Sequence, residues 1–412
     1  MRTYRDVFTT PEYPAFFLAC SLQAAARSVA GLALGSLVYA ATGSALLSAL
    51  AMFGPALAQV VGAFTLLSAA DRLPPRAALA GLPLFLGLVT AVQAAPGLPT
   101  AVALALVLAQ GVPAALGGGI RNGLLTDLLD RDGYLLGRSV LNMSNGTCQI
   151  LGYALGGVLV QALSARGTLL VSVALFGLSA AVARLGLTRR AARATGRPSI
   201  AETVRGNALL WSSRPRRSVY LALWVPNGLI VGCEALFVPY DPRHAGLLLA
   251  SAALGMLAGD VLGGRLLPPY WRARLGAPLR LLLAAPYLLF AIEPAPAAAA
   301  AVAALASIGF AASLLLQERL VALTPEELSG HALGLQTAGT LSAQGVAALL
   351  AGSLAQLTSP STAMTVLAAA SLTVTLALAP RLRPLDRPAP RTATRCAAGR
   401  PGDGVDQPPP HG

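Results

Sequence analysis

Residues 168–187 read TLLVSVALFGLSAAVARLGL, residues 188–217 read TRRAARATGRPSIAETVRGNALLWSSRPRR, and residues 218–238 read SVYLALWVPNGLIVGCEALFV. An apolar run, an arginine-dense stretch and a second apolar run decide the fold. A bilayer core about 30 Å thick is crossed by a helix of about 20 apolar residues. The flanking runs have that length. From the end of the first run onward, nine arginines from Arg184 to Arg217 are opposed by one acid, Glu202.

The same alternation extends in both directions. Apolar stretches of crossing length lie near 16–40, 44–68, 77–95, 99–119, 142–164 and 168–187, then near 218–238, 245–267, 276–292, 296–316, 333–356 and 361–379. Breakers mark the gaps, among them Thr42-Gly43-Ser44, Pro74-Pro75, Pro96-Gly97 and Ser359-Pro360. All but three of the 30 basic residues fall at the amino terminus, in every second gap or at the span edges beside it, or in the carboxyl tail. The exceptions are Arg166 and Arg243 on the opposite side and Arg27 inside a span. Positive charge is retained on the cytoplasmic side. Both termini are therefore expected to be cytoplasmic, with an even number of spans in a bacterial plasma membrane. The longer internal gaps fall at 120–141, 188–217 and 317–332, and the external ones are only a few residues long.

Composition agrees with a membrane protein and excludes several other classes. Hydrophobic residues make up 55 % of the chain and charged ones 11 %, against about a quarter charged in soluble domains. Every cationic side chain is arginine. A net charge of +13 suggests nucleic acid only when it clusters on a soluble face, and here it sits beside apolar runs. Cys20, Cys148, Cys233 and Cys396 lack metal or disulfide spacing. The opening MRTYRDVFTTPEYPAFFLACSLQ reads as a retained first span rather than a cleaved signal. His244, His331 and His411 are far apart and assemble no catalytic set, so no enzyme is expected. No phosphate-cradling glycine loop occurs, which speaks against direct ATP drive. Two glycosylation-type triplets at Asn142 and Asn145 begin a span on the cytoplasmic side and are discounted.

The halves also resemble each other. Leu73-Pro74-Pro75 recurs as Leu267-Pro268-Pro269, and Gly137, Gly146, Thr147 and Gly152 recur as Gly330, Gly339, Thr340 and Gly345, at offsets of 194 and 193. Six spans, a basic linker and six more spans form the repeat architecture of secondary transporters. Residues 67–76, LSAADRLPPR, share Asp71, Arg72 and Arg76 with the G-x-x-x-D-R-x-G-R-R motif of the major facilitator superfamily, but lack its glycines. Over residues 1–383 the chain resembles that superfamily. The resemblance implies an all-α membrane protein of twelve transmembrane helices in two pseudo-symmetric six-helix bundles. It also implies that Asp71, Arg72 and Arg76 form a cytoplasmic gate.

A second stretch, Gly152-Tyr153-Ala154-Leu155-Gly156-Gly157, resembles the G-P-x-x-G-G motif of exporters, with Tyr153 in place of proline. Small residues at this spacing also let helices pack closely. Gln110-Gly111-Val112-Pro113-Ala114-Ala115 resembles the end of R-x-x-Q-G-x-x-A-A, but Val107 stands where that motif has arginine. The loop LLTDLLDRDGYLLGRSVLNMSNG and the first span's end look most like the twelve-span macrolide- and siderophore-exporter branch.

Charge in the hydrocarbon is costly, at about 2.5–3.5 kcal/mol on insertion scales, and marks functional candidates. Arg27 lies mid-span with Gln23 one turn earlier. It suits an anionic or carbonyl-bearing substrate, or a pairing with Glu234. Glu234 follows Asn227 by two turns, on the same face. A carboxylate removed from water takes up a proton more readily, which makes Glu234 the first choice for proton coupling. Asp260, the other proton-coupling candidate, lies five residues before Arg265 and fits a second gate pair. Gln149 and other amides line a polar path or join helices.

The expected organisation is a six-helix bundle over 1–188, a basic cytoplasmic linker over 189–216, a second bundle over 217–383 and a disordered cytoplasmic tail over 384–412. The expected function is secondary active export of a small amphipathic compound, a drug or natural product, by proton antiport with alternating access. The proton gradient supplies the energy, with no cofactor and no metal. The partners are the small-molecule substrate and the lipid bilayer, without nucleic acid or ATP, and the chain acts as a monomer. Uptake of a polar solute and a non-transporting receptor or scaffold are the alternatives.

Overall fold

The computed structural model describes residues 4–66, 73–129, 131–191, 200–263, 269–325 and 328–382. The described residues up to Leu382 form one compact unit. After a short α1 (Tyr4–Phe8), the first half comprises α2 (Tyr13–Thr42), α3 (Ala45–Leu66), α4 (Pro75–Gln93), α5 (Thr100–Ala114), α6 (Leu116–Leu128) and α7 (Arg131–Gly186). The linker carries α8 (Ile200–Ser212). The second half comprises α9 (Arg214–Ala235), α10 (Phe237–Tyr240), α11 (Ala245–Val261), α12 (Pro269–Leu282), α13 (Pro296–Ile308), α14 (Ala312–Ala322), α15 (Ser329–Leu357) and α16 (Pro360–Leu378). A 3-10 turn at Ala285–Ile292 follows α12.

Among the described residues, nine helices are long and apolar enough to cross a membrane, and two shorter apolar ones cover Ala45–Val60 and Ala245–Val261. The protein is a multi-pass membrane protein. One 51-residue run, Leu136–Gly186, holds two of the expected crossings. They part at Ser164, whose φ of 75° and ψ of 164° leave the helical region. At the turn after α2, Gly43 takes φ 63° and donates its N–H to the Tyr39 carbonyl at 2.8 Å. A Cβ is disfavoured in that left-handed geometry, so glycine lets α3 start two residues after α2 ends.

The sequence reading leaves 120–141 as a gap. The structure instead fills it with helix: α6 runs to Leu128 and α7 starts at Arg131. Hydropathy marks where the apolar stretch stops, but a hydrogen-bonded helix packed on its neighbours can run on past that point, so hydropathy alone places the end too early.

Packing shows the internal symmetry. Within the first half α2 packs on α7, α3 on α5 and α4 on α7; within the second, α9 packs on α15, α11 on α13 and the 285–292 turn on α16. Each pairing has a counterpart at the repeat offset. The halves meet through α3 against α15 and α7 against α11. These seams are lined by small residues. A Cβ on Gly352 of α15 would lie 2.5 Å from the Leu46 Cα of α3, and one on Gly246 of α11 would lie 2.6 Å from the Gly157 Cα of α7.

Candidate functional site

Close packing of α2 on α7 fixes which residues α2 turns toward the interior. Gly152 leaves room for Ser28, and Gly156 for Val29 and Leu32. With those positions against α7, Arg27 projects into a cavity of about 260 Å³. Gln59, Gln93, Gln110 and Gln149 share its lining with Phe53 and Phe176. The amides are partly ordered by one another: Gln110 Nε2 donates to Gln93 Oε1 at 3.3 Å, and Gln93 Nε2 donates to the Ala103 carbonyl at 3.2 Å.

Two further chambers adjoin this one. Toward the arginine-rich end, about 260 Å³ is bordered by Arg27, Arg121 and Arg138 with Asn122, Asn142 and Asn145. Into the second half, about 270 Å³ is bordered by Asn227, Glu234, Gln344, Met256 and Phe310. Arg27 is common to the first two chambers. Phe53, Gln149 and Tyr153 are common to the first and third. The result is a polar path through both halves.

Of the expected substrate residues, Arg27, Gln149, Asn227 and Glu234 lie on this path. Gln23 is buried but is not among the residues bordering these chambers. Asn227 Oδ1 accepts from Gln344 Nε2 at 2.9 Å, joining α9 to α15. Glu234 is 5 % exposed, and its Oε1 has no hydrogen-bond partner. Ser307 and Tyr287 stand beside it. No ion pair joins Arg27 to Glu234. Tyr153 and Gln149 border both of their chambers.

The gate residues are placed only in part. Asp71, Arg72 and Arg265 lie outside the described residues. Arg76 donates its Nε to the Arg184 carbonyl at 2.9 Å, at the end of α7. There the free carbonyls carry partial negative charge, which an arginine complements. Asp260 is exposed in the last turn of α11. Gly157 meets Gly246 of α11, so the glycine motif packs α7 onto its own half and onto the other. Arg121, Arg138 and Tyr153 border these chambers but are not among the cavity residues read from the sequence, where Tyr153 marks only a motif substitution. The signal available was the helical spacing of Arg138, Asn142 and Asn145, which shares one face.

The two ends of the molecule are built differently. At the arginine-poor end an apolar core joins Leu32 and Ala45 of the first half to Val231, Phe237 and Leu248 of the second. Tyr39 Oη donates to the Pro239 carbonyl at 3.4 Å, and Gln161 Nε2 to the Arg243 carbonyl at 2.7 Å. Gln356 donates to Ser44. At the arginine-rich end the cores are separate: Tyr13, Phe16 and Leu124 belong to one, and Tyr220, Leu223 and Leu320 to the other. The cavity is thus sealed toward one side.

No protein-family model matches the chain, and no curated protein matches its sequence. Solved structures do. The nucleoside transporter NupG superposes with a TM-score of 0.72 at 13 % identity, covering 90 % of this chain and 100 % of that one. A POT family transporter in complex with a thioalcohol-conjugated peptide gives 0.70 at 13 % identity, covering 89 % and 95 %. A bacterial homolog of the human lysosomal transporter Spinster, inward-facing and unoccupied, gives 0.64 at 13 % identity, covering 92 % and 96 %. The architecture is the all-α fold of the major facilitator transporters.

Proposed function

We propose that the chain is a secondary transporter that exports a small amphipathic compound across a bacterial plasma membrane by alternating access, in exchange for protons. The observation that carries this reading is the run of adjoining chambers, with mixed polar and apolar walls: two lie in the first half, the third draws on both halves, and among the described residues the contacts that close it lie at one end. Two similar bundles rocking about such a site would expose it to each side in turn. The solved relatives are transporters by name, which supports movement of a solute. With the arginine-rich end in the cytosol, the cavity is open inward, ready to load an export substrate.

Glu234 is the proposed coupling acid. It combines burial, an unpartnered oxygen and a position on the cavity wall, so rocking would bring it into contact with either aqueous phase. The test is whole-cell accumulation of a panel of dyes and macrolides with and without a protonophore. Export predicts lower accumulation in expressing cells, reversed by the protonophore. Accumulation of the opposite sign would establish uptake, and no difference would favour a scaffold.

A further inference from the structure

Three guanidinium groups, Arg27, Arg121 and Arg138, border the chamber at the arginine-rich end, and no carboxylate among the described residues borders it. Among the described residues, Arg27 and Arg138 make no hydrogen bond or ion pair. Arg121 donates only its Nε, to the Gly117 carbonyl of its own helix at 3.0 Å. Arg27 and Arg121 are near enough for their charges to oppose each other. Like charges gathered in a partly dry chamber are unfavourable, and an anion between them relieves the repulsion.

The scaffold does not require this cluster. At the repeat offset, His331 takes the place of Arg138, and it is tied to Asn207 Oδ1 at 2.7 Å. Arg138 has no such tie. Free guanidinium forks match the two oxygens of a carboxylate or phosphate, and the asparagine amides of the same wall add donors. Beyond Arg27 the path turns to Phe53, Phe176 and glutamines, which suits an apolar body with a few polar groups.

We infer that the cargo is an amphipathic organic anion, with its headgroup among Arg27, Arg121 and Arg138 and its apolar body in the central chamber. This rests on the transporter reading and narrows its substrate class.

A matched probe set separates the two claims: N-dansyl-6-aminohexanoate, its neutral methyl ester and the cationic dansylcadaverine share one fluorescent body. Binding to the purified full chain and movement in proteoliposomes are measured for each. The acid should bind at least about tenfold more tightly than the ester or the amine. Arg121→Gln and Arg138→Gln should each weaken the acid about tenfold and leave the ester unchanged, while Arg138→Lys restores part of the loss. In the unmodified protein, added salt should weaken the acid and spare the ester, a readout that needs no variant. Equal affinity for acid and ester, or salt-independent binding of the acid, overturns the anion assignment. Movement of the ester or the amine would then leave the transporter reading standing. If none of the three probes is moved, both readings fall.

Discussion

Gly157 of α7 and Gly246 of α11 touch through their backbones: a Cβ on Gly157 would stand 2.9 Å from the Gly246 Cα, and one on Gly246 would stand 2.6 Å from the Gly157 Cα. This contact joins one half to the other, so any relative movement of the halves passes through it. Gly246→Val cannot be accommodated without spreading the helices, and overpacking of this kind costs about 1–3 kcal/mol. The expected outcome is a lower melting temperature in detergent together with slower transport. Wild-type values for both would show that α7 and α11 separate freely.

The seal at the arginine-poor end offers a direct test of the proposed transport cycle. Ser44 and Gln356 are hydrogen-bonded across the two halves. Replacing both with cysteine and oxidising should lock the cavity closed at that end and stop turnover, with recovery on reduction. Substrate binding from the opposite side should persist. Continued turnover in the cross-linked protein would mean that this end does not open.

Glu234→Gln keeps the shape of the side chain and removes its charge. Coupled movement should be abolished while expression and folding are retained, and exchange of labelled substrate without a gradient should continue. Proton-driven movement at the wild-type rate would remove Glu234 from the coupling step.

Glu12 stands outside the spans and clamps α2 to the end of α7. Its carboxylate accepts from Arg190 Nη1 at 2.8 Å and Nη2 at 2.9 Å, and from the Thr188 N–H at 2.9 Å. Burial pushes the carboxyl up, but the bonds from Arg190 and Thr188 outweigh it and hold it below the ordinary 4.5. A lowered folded-state value means that the clamp's stabilisation is complete above pH 4.5 and fades as the pH falls below it, through the folded value. Glu12→Gln should cost about 0.5–1 kcal/mol at neutral pH and flatten the acid limb of a melting-temperature profile. An unchanged acid limb would remove Glu12 from the pH response.

Much of the architecture could be read from the chain because lipid imposes a length and composition on whatever crosses it. The stretches near 16–40 and 44–68 fall on α2 and α3, and the break at Gly43 is the turn between them. Arg27 and Glu234 stood out because a charge within an apolar run is conspicuous. Arg121 and Arg138 did not, because an arginine in a gap looks the same whether it faces solvent or a vestibule. That distinction depends on the rotation of α6 and α7, which is set by tertiary packing around Gly117 and Gly137. Tyr153 is conspicuous in the sequence only as the replacement of a motif proline, because one hydroxyl on a large ring hardly alters local hydropathy. The unpaired state of Arg27 and Glu234 likewise depends on separation across the bundle, which spacing along one chain does not encode.

The one-sided closure has a consequence for selectivity. In the proposed alternating-access cycle, every swing outward would break the contacts of Tyr39, Gln161 and Gln356 with the opposite half and pull apart their shared apolar core. A ligand shifts a conformational balance only by the difference in its affinity for the two states. The tightness of that closure therefore sets a threshold: a compound that grips both shapes equally rides nowhere, however strongly it sticks, and becomes an inhibitor instead of a passenger.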